Sequence, residues 1–197
     1  MSVTPKPGNE DSSVSSTEVS DDDSHLCDDE QLEIVGELVG ATDLIADDDD
    51  IGNPKPYAEV FFGTRKIHYS EPGEGLSPIW TIDTDSLFLL KATPVELADN
   101  SLTIRLYSSR NIGPLTEIKT FLGQVQLPAA EIIHKCDGER FELVLQDELG
   151  DDSIGRGKLA LRLRVATPAD AKFVTLWNHR RLQESTILKA LLNNEDS

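Results

Sequence analysis

From Leu32 onward, short apolar runs recur along the chain, each bounded by clusters of glycine, proline, asparagine and aspartate. Runs of this length with such punctuation predict β-strands joined by turns. The predicted strands are Leu32–Val39, Tyr57–Phe62, Arg65–Tyr69, Ile79–Asp83 with Leu87–Leu90, Leu102–Tyr107, Phe121–Leu127, Phe141–Leu145 and Lys158–Val165. The last has the clearest period of two: Leu159, Leu161, Leu163 and Val165 share one face, and Lys158, Arg162 and Arg164 the other. Alternation of this kind marks one buried and one wet face, as in an antiparallel sandwich. A short helix is expected at Ala129–His134, after Pro128, and Trp80 is expected in the core.

After Val165 the period changes. Thr167-Pro168-Ala169-Asp170 reads as an N-cap, a proline at the first helical position and an acid at the third. Phe173, Leu176, Trp177, Ile187, Leu188, Leu191 and Leu192 follow at helical spacing. Two readings stay open: a helix docked on its own sandwich, or a partner-binding helix with Phe173, Trp177 and Leu188 as candidate contacts. Arg180 and Arg181 interrupt the apolar pattern and argue against a helix lying in a membrane.

Residues 1–30 carry nine carboxylates against the single Lys6. So polar a segment buries too little apolar surface to offset its conformational entropy, and a disordered acidic tail is expected. Ser20, before Asp21-Asp22-Asp23, suits an acidophilic kinase. The expected organisation is therefore tail 1–30, sandwich 31–166 and helix with a short end 167–197. The whole chain has a formal net charge of −18, which excludes strong electrostatic attraction to nucleic acid or to an anionic membrane by the chain as a whole. The two cysteines, Cys27 and Cys136, fit a reducing compartment and not a structural disulfide. With no signal peptide and no transmembrane run, the expectation is a cytoplasmic protein, or one peripheral to a membrane.

Six elements in order resemble the C2 domain family across Leu32–Val165. They are Leu32-x-Ile34; Leu38-x-x-Ala41-x-Asp43-Leu44; Pro56-Tyr57-Ala58-Glu59-Val60; Leu76-Ser77-Pro78-Ile79-Trp80; Leu102-x-Ile104-x-Leu106-Tyr107; and Phe121-Leu122-Gly123. Phe141–Leu145 resembles the family's penultimate strand, and Gly157-Lys158-Leu159-Ala160-Leu161 follows it as the last. Gly36 departs from the family's usual β-branched residue. The resemblance implies an all-β, eight-stranded antiparallel Greek-key sandwich. With its eighth strand at the C-terminal end, the chain resembles the permuted, phospholipase-like topology.

The resemblance also implies where calcium ligands would stand, and here the chain departs from the family. Calcium needs six to eight oxygens, with carboxylates converging from two loops. The corresponding positions are Asp49, Lys55, Ser108, Arg110 and Thr120, of which Asp49 alone is a carboxylate. A cationic side chain about 4–6 Å from a divalent ion, at an effective dielectric near 20, opposes it by several kcal/mol. No bound metal or other cofactor is expected, and calcium is disfavoured; a remodelled site from Asp47, Asp48, Asp49, Asp50 and Glu117 is the exception considered. Asp47, Asp48, Asp50, Ile51, Ile112 and Leu115 are candidate ligand- or membrane-facing loop residues. Arg65, Lys66 and His68 are the candidate basic face, opposed by Asp83 and Asp85 on the neighbouring strand. Arg156, Lys158, Arg162 and Arg164 read as the wet face of an edge strand.

No nucleophile elbow, P-loop, His-Glu-x-x-His or Cys-x-x-Cys is present, and no enzyme is expected. The expected function is a calcium-independent binding module that contacts a protein or recruits the chain to a membrane surface. The alternative is a calcium- or phosphoinositide-dependent phospholipid-binding module. A third reading makes the sandwich a scaffold for a binding helix.

Overall fold

The computed structural model describes residues 1, 31–45, 54–111, 117–152 and 155–195. Eight strands form two four-stranded antiparallel sheets: β1 (Leu32–Thr42), β2 (Pro56–Phe62), β3 (Arg65–Tyr69), β4 (Leu87–Ala92), β5 (Leu102–Asn111), β6 (Glu117–Leu127), β7 (Asp137–Val144) and β8 (Lys158–Val165). One sheet runs β4-β1-β8-β7 and the other β3-β2-β5-β6. The C-terminal strand β8 pairs with β1, as the permuted arrangement requires.

Alternate positions from both sheets meet in the core. Ile34 and Leu38 of β1, Ala58 and Val60 of β2, Ile104 and Leu106 of β5, and Leu159, Leu161 and Leu163 of β8 are all buried there. Trp80 joins them and donates its indole N–H to the Glu71 carbonyl (3.2 Å). Burying a side chain this large is favourable only because its one polar atom keeps a partner. Gly36 sits opposite Phe88 in the β1–β4 ladder. A Cβ there would lie 2.0 Å from the Phe88 ring. The Phe88 ring therefore fills the space that a β-branched residue would take.

Three sequence expectations are corrected. Ile79–Asp83 is not a strand: Ile79 makes one isolated bridge to Gly40, and Ile82–Thr84 is a single 3-10 turn. The Thr84 hydroxyl closes this turn, accepting from the Thr81 N–H and donating to the Thr81 carbonyl, and Asp85 leaves it in the left-handed conformation (φ 53°), which ends any ladder. A helix not anticipated, α1 (Pro94–Asp99), follows β4. Its Thr93-Pro94-Val95-Glu96 start is the same kind of N-terminal signal read at Thr167, and both halves of the capping box form. The expected helix at Ala129–His134 is present as α2. Third, β8 is no edge strand: it lies between β1 and β7, and a helix crosses its sheet.

That helix is α3 (Pro168–Glu195), capped by Thr167 and Asp170. Its sandwich-facing side is Ala171, Val174, Asn178 and Arg181, with Ala171 and Val174 buried. Phe173 and Leu176 stay largely exposed and Trp177 is half-buried, stacked on Phe173 with ring centroids 6.1 Å apart. The apolar stripe read from sequence is thus offset from the face that docks.

Candidate functional site

At the rim where β1–β2 and β5–β6 turn, backbone pairing draws the ligand-equivalent positions together. Pro56 pairs with Ser108, and Ser108 pairs with Thr120. The Lys55 N–H donates to the Ser108 hydroxyl (3.3 Å), and Ser109 N–H donates to the Lys55 carbonyl (3.4 Å). Ser108 is buried, whereas the Lys55 side chain is exposed. Lys55, Ser108 and Thr120 therefore converge, and none of the three brings a carboxylate. Arg110 is described at its backbone alone, opposite Ile118 in the β5–β6 ladder. Asp47, Asp48, Asp49, Asp50, Ile51, Ile112 and Leu115 lie outside the described residues. Among the described residues, no cluster of three or more histidine, cysteine, aspartate or glutamate side chains could hold a metal.

The structure separates the three residues of the expected basic face. Arg65 reaches across to the Lys91 carbonyl of β4 (3.3 Å). His68 turns inward, with Nε2 2.7 Å from the Asp85 carbonyl and its ring beside Phe88. Burial pushes the His68 imidazole below its ordinary pKa, against the opposing pull of Asp85. Lys66 alone stays on the outer face of the β3-β2-β5-β6 sheet. There the bulge between Val60 and Phe61 in the β2–β3 ladder returns it to the same side as Glu59.

On that outer face the structure assembles a set drawn from β2, β3, β5, β6 and the segment before β8. Lys66 and Arg105 lie over Phe61 (5.8 and 5.1 Å), Lys119 over Tyr57 (5.4 Å) and Arg156 over Phe121 (5.9 Å). Tyr57 stacks on Tyr107, whose ring meets the edge of Phe121. Glu59 lies among these cations, 2.7 Å from Lys66 Nζ and 3.8 Å from Lys119 Nζ. Arg105, Lys119 and the aromatic rings were missed as a site because they alternate along three strands, β2, β5 and β6, with β2 far from the other two in sequence. The period-two pattern of Thr103, Arg105 and Tyr107 beside Phe121 was the available signal.

The helix contacts form a third feature. Arg164 makes a two-pronged pair with Asp170, which also accepts from Thr167; this holds the Asp170 carboxyl well below the usual carboxylate range. Arg162 pairs with Glu37. At the other end of the docked stretch, Arg181 binds Glu71, Asp85 Oδ1 (3.1 Å) and the Asp83 carbonyl (2.9 Å). Asp83 and Asp85 thus serve the helix, not a phosphate face. Leu188 is described at its backbone alone.

The profile of the C2 domain family matches residues 33–145, more than half of the chain. The chain belongs to the C2 domain family. Its match ends at Leu145, before β8, as fits a C2 domain whose last strand has moved to the C-terminal end. Among solved structures, a C2 domain of plant extended synaptotagmin 1 is similar with a TM-score of 0.51 at 20% identity, over 69% of this chain and 96% of that one. The calcium-bound tandem C2 domains of extended synaptotagmin 2 are similar with a TM-score of 0.52 at 21% identity, over 69% of this chain and 46% of that one. No curated protein matches the chain in sequence. As a C2 domain it is a binding module of the general lipid- or protein-binding kind. No described helix is long and apolar enough to cross a membrane.

Proposed function

We propose that this C2 domain is a calcium-independent binding module whose ligand is a protein surface. The observation that carries the reading is the rim pairing of Lys55 with Ser108 and Thr120, three converging positions that bring no carboxylate. Among the described residues, a calcium ion would meet a lysine-bearing segment and a hydroxyl already engaged by a backbone N–H, and no carboxylate from Lys55, Ser108 or Thr120. The sequence adds Arg110 on the facing strand.

One further observation favours a protein over an anionic membrane. The chain carries a net −18, so its far field opposes a surface of the same sign. The calcium- or phosphoinositide-dependent reading remains the alternative outcome of the test. Full-length protein is sedimented with vesicles of phosphatidylcholine and phosphatidylserine, with and without a phosphoinositide, in calcium and in chelator. The protein should stay in the supernatant throughout. Pelleting that requires calcium, or that requires the phosphoinositide, overturns it.

A further inference from the structure

The outer face of the β3-β2-β5-β6 sheet is opposite in sign to the chain that carries it. Lys66, Arg105, Lys119 and Arg156 stand there over the rings of Phe61, Tyr57 and Phe121, with Glu59 as their internal counter-charge. Beside Glu59 a 350 Å³ cavity opens, lined by Tyr57, Lys66, Tyr69, Pro72, Ser109 and Lys119 as well. Tyr57 is only 5% exposed, and its hydroxyl has no hydrogen-bond partner among the described residues. A buried hydroxyl without a partner is destabilising, and an incoming acceptor would satisfy it. Two ammonium groups, a phenol and the Ser109 hydroxyl at one cavity are donors for a carboxylate.

The same chain supplies carboxylates in excess. Residues 1–30 hold Glu10, Asp11, Glu18, Asp21, Asp22, Asp23, Asp28, Asp29 and Glu30 against Lys6, and they run directly into β1 at Leu32. Thirty residues span up to about 100 Å, while the two sheets of a sandwich are only about 10 Å apart, so the segment reaches either face. A tether of this length gives an effective concentration in the millimolar range. An anionic membrane or a separate acidic protein must compete with that.

We propose that the acidic N-terminal segment, with Asp21-Asp22-Asp23 at its centre, docks on this lysine- and tyrosine-lined face of its own sandwich. Its carboxylates meet Lys66, Lys119 and the Tyr57 hydroxyl, and charge alone sets the choice of face. This inference goes beyond the proposed function and does not depend on it: the segment docks or does not, whatever the module binds elsewhere.

The test uses the full chain. A nitroxide is placed on Ser16→Cys in a Cys27→Ser, Cys136→Ser background, and amide signals are recorded by two-dimensional NMR. Docking predicts strong paramagnetic broadening at Tyr57–Phe61, Lys66 and Arg105–Ser109, with β8 and α2 spared. Raising salt from 50 mM to 500 mM should reverse most of it, as screening of exposed charges requires. Lys66→Gln with Lys119→Gln should abolish it while signal dispersion stays that of a folded sandwich. Asp21→Asn, Asp22→Asn and Asp23→Asn should do the same without touching the sandwich. Broadening confined to the α1–α2 end, broadening spread evenly over both sheets, or broadening that ignores both salt and the charge variants would overturn the proposal.

Discussion

Removing the Arg181 guanidinium should release α3 from the sandwich without unfolding it. In Arg181→Ala, three hydrogen bonds disappear: to Glu71, to Asp85 and to the Asp83 carbonyl. They are unequal. Glu71 is 46% exposed, so solvent screens that pair and it contributes under about 1 kcal/mol. Asp85 is 14% exposed, and its bond together with that to the Asp83 carbonyl contributes about 1–2 kcal/mol. The aliphatic stem adds a few tenths where it covers apolar surface. The sum is about 2–3 kcal/mol; what remains is the Arg164–Asp170 pair at the start of the helix and the small buried side chains Ala171 and Val174. Hydrogen exchange reads this directly, because a local opening that becomes easier by about 2–3 kcal/mol exchanges about 30- to 150-fold faster. The acceleration should be confined to α3 amides. Arg180→Ala is the internal control: its partner Glu184 lies one turn away with both side chains largely exposed, and the change should stay within about 0.5 kcal/mol. A change below threefold in Arg181→Ala, or equal acceleration in β1 and β8, would refute the view that this arginine anchors the helix.

Other expectations follow from the same contacts. Gly36→Ala should destabilise the sandwich by at least about 2 kcal/mol in urea denaturation, because its Cβ falls on the buried Phe88 ring. Pairing it with Phe88→Leu should cost less than the sum of the two single changes, and strict additivity would rule out the contact as the cause. His68 has its pKa lowered by burial, so below its ordinary 6.5 the unfolded chain takes up a proton that the folded chain resists. Stability should therefore be full above about pH 6.5 and fall as pH drops through the lowered value, by at most about 1.4 kcal/mol per unit. His68→Gln should flatten that decline, and an unchanged pH profile would remove His68 as its source.

How much of this was legible beforehand depends on the range over which each feature is decided. Strands with strict alternation, such as Leu159, Leu161 and Leu163, announce themselves because burial repeats every second residue. The C2 resemblance rested on short local strings and was recoverable for the same reason. Ile79–Asp83 misled because an apolar Ile-Trp pair looks like a strand, whereas the Thr81–Thr84 turn and the left-handed Asp85 close the chain there. The docked face of α3 was unreadable from periodicity: Phe173 and Leu176 are the conspicuous residues, yet small Ala171 and Val174 make the close approach. Arg181, which interrupts the apolar pattern in the sequence, is the residue that ties the helix down. It does so through Glu71 and Asp85, about a hundred positions away. The cationic aromatic face escaped for the same reason, since its members come from β2, β3, β5, β6 and the segment before β8.

Calorimetric titration of calcium into metal-free full-length protein decides whether the loop rim of this C2 domain takes the ion. The unaltered chain should give only dilution heat at micromolar to tens-of-micromolar calcium, and Lys55→Asp with Arg110→Asp should bring out a binding isotherm. A saturable micromolar isotherm in the unaltered chain would overturn the proposed calcium independence.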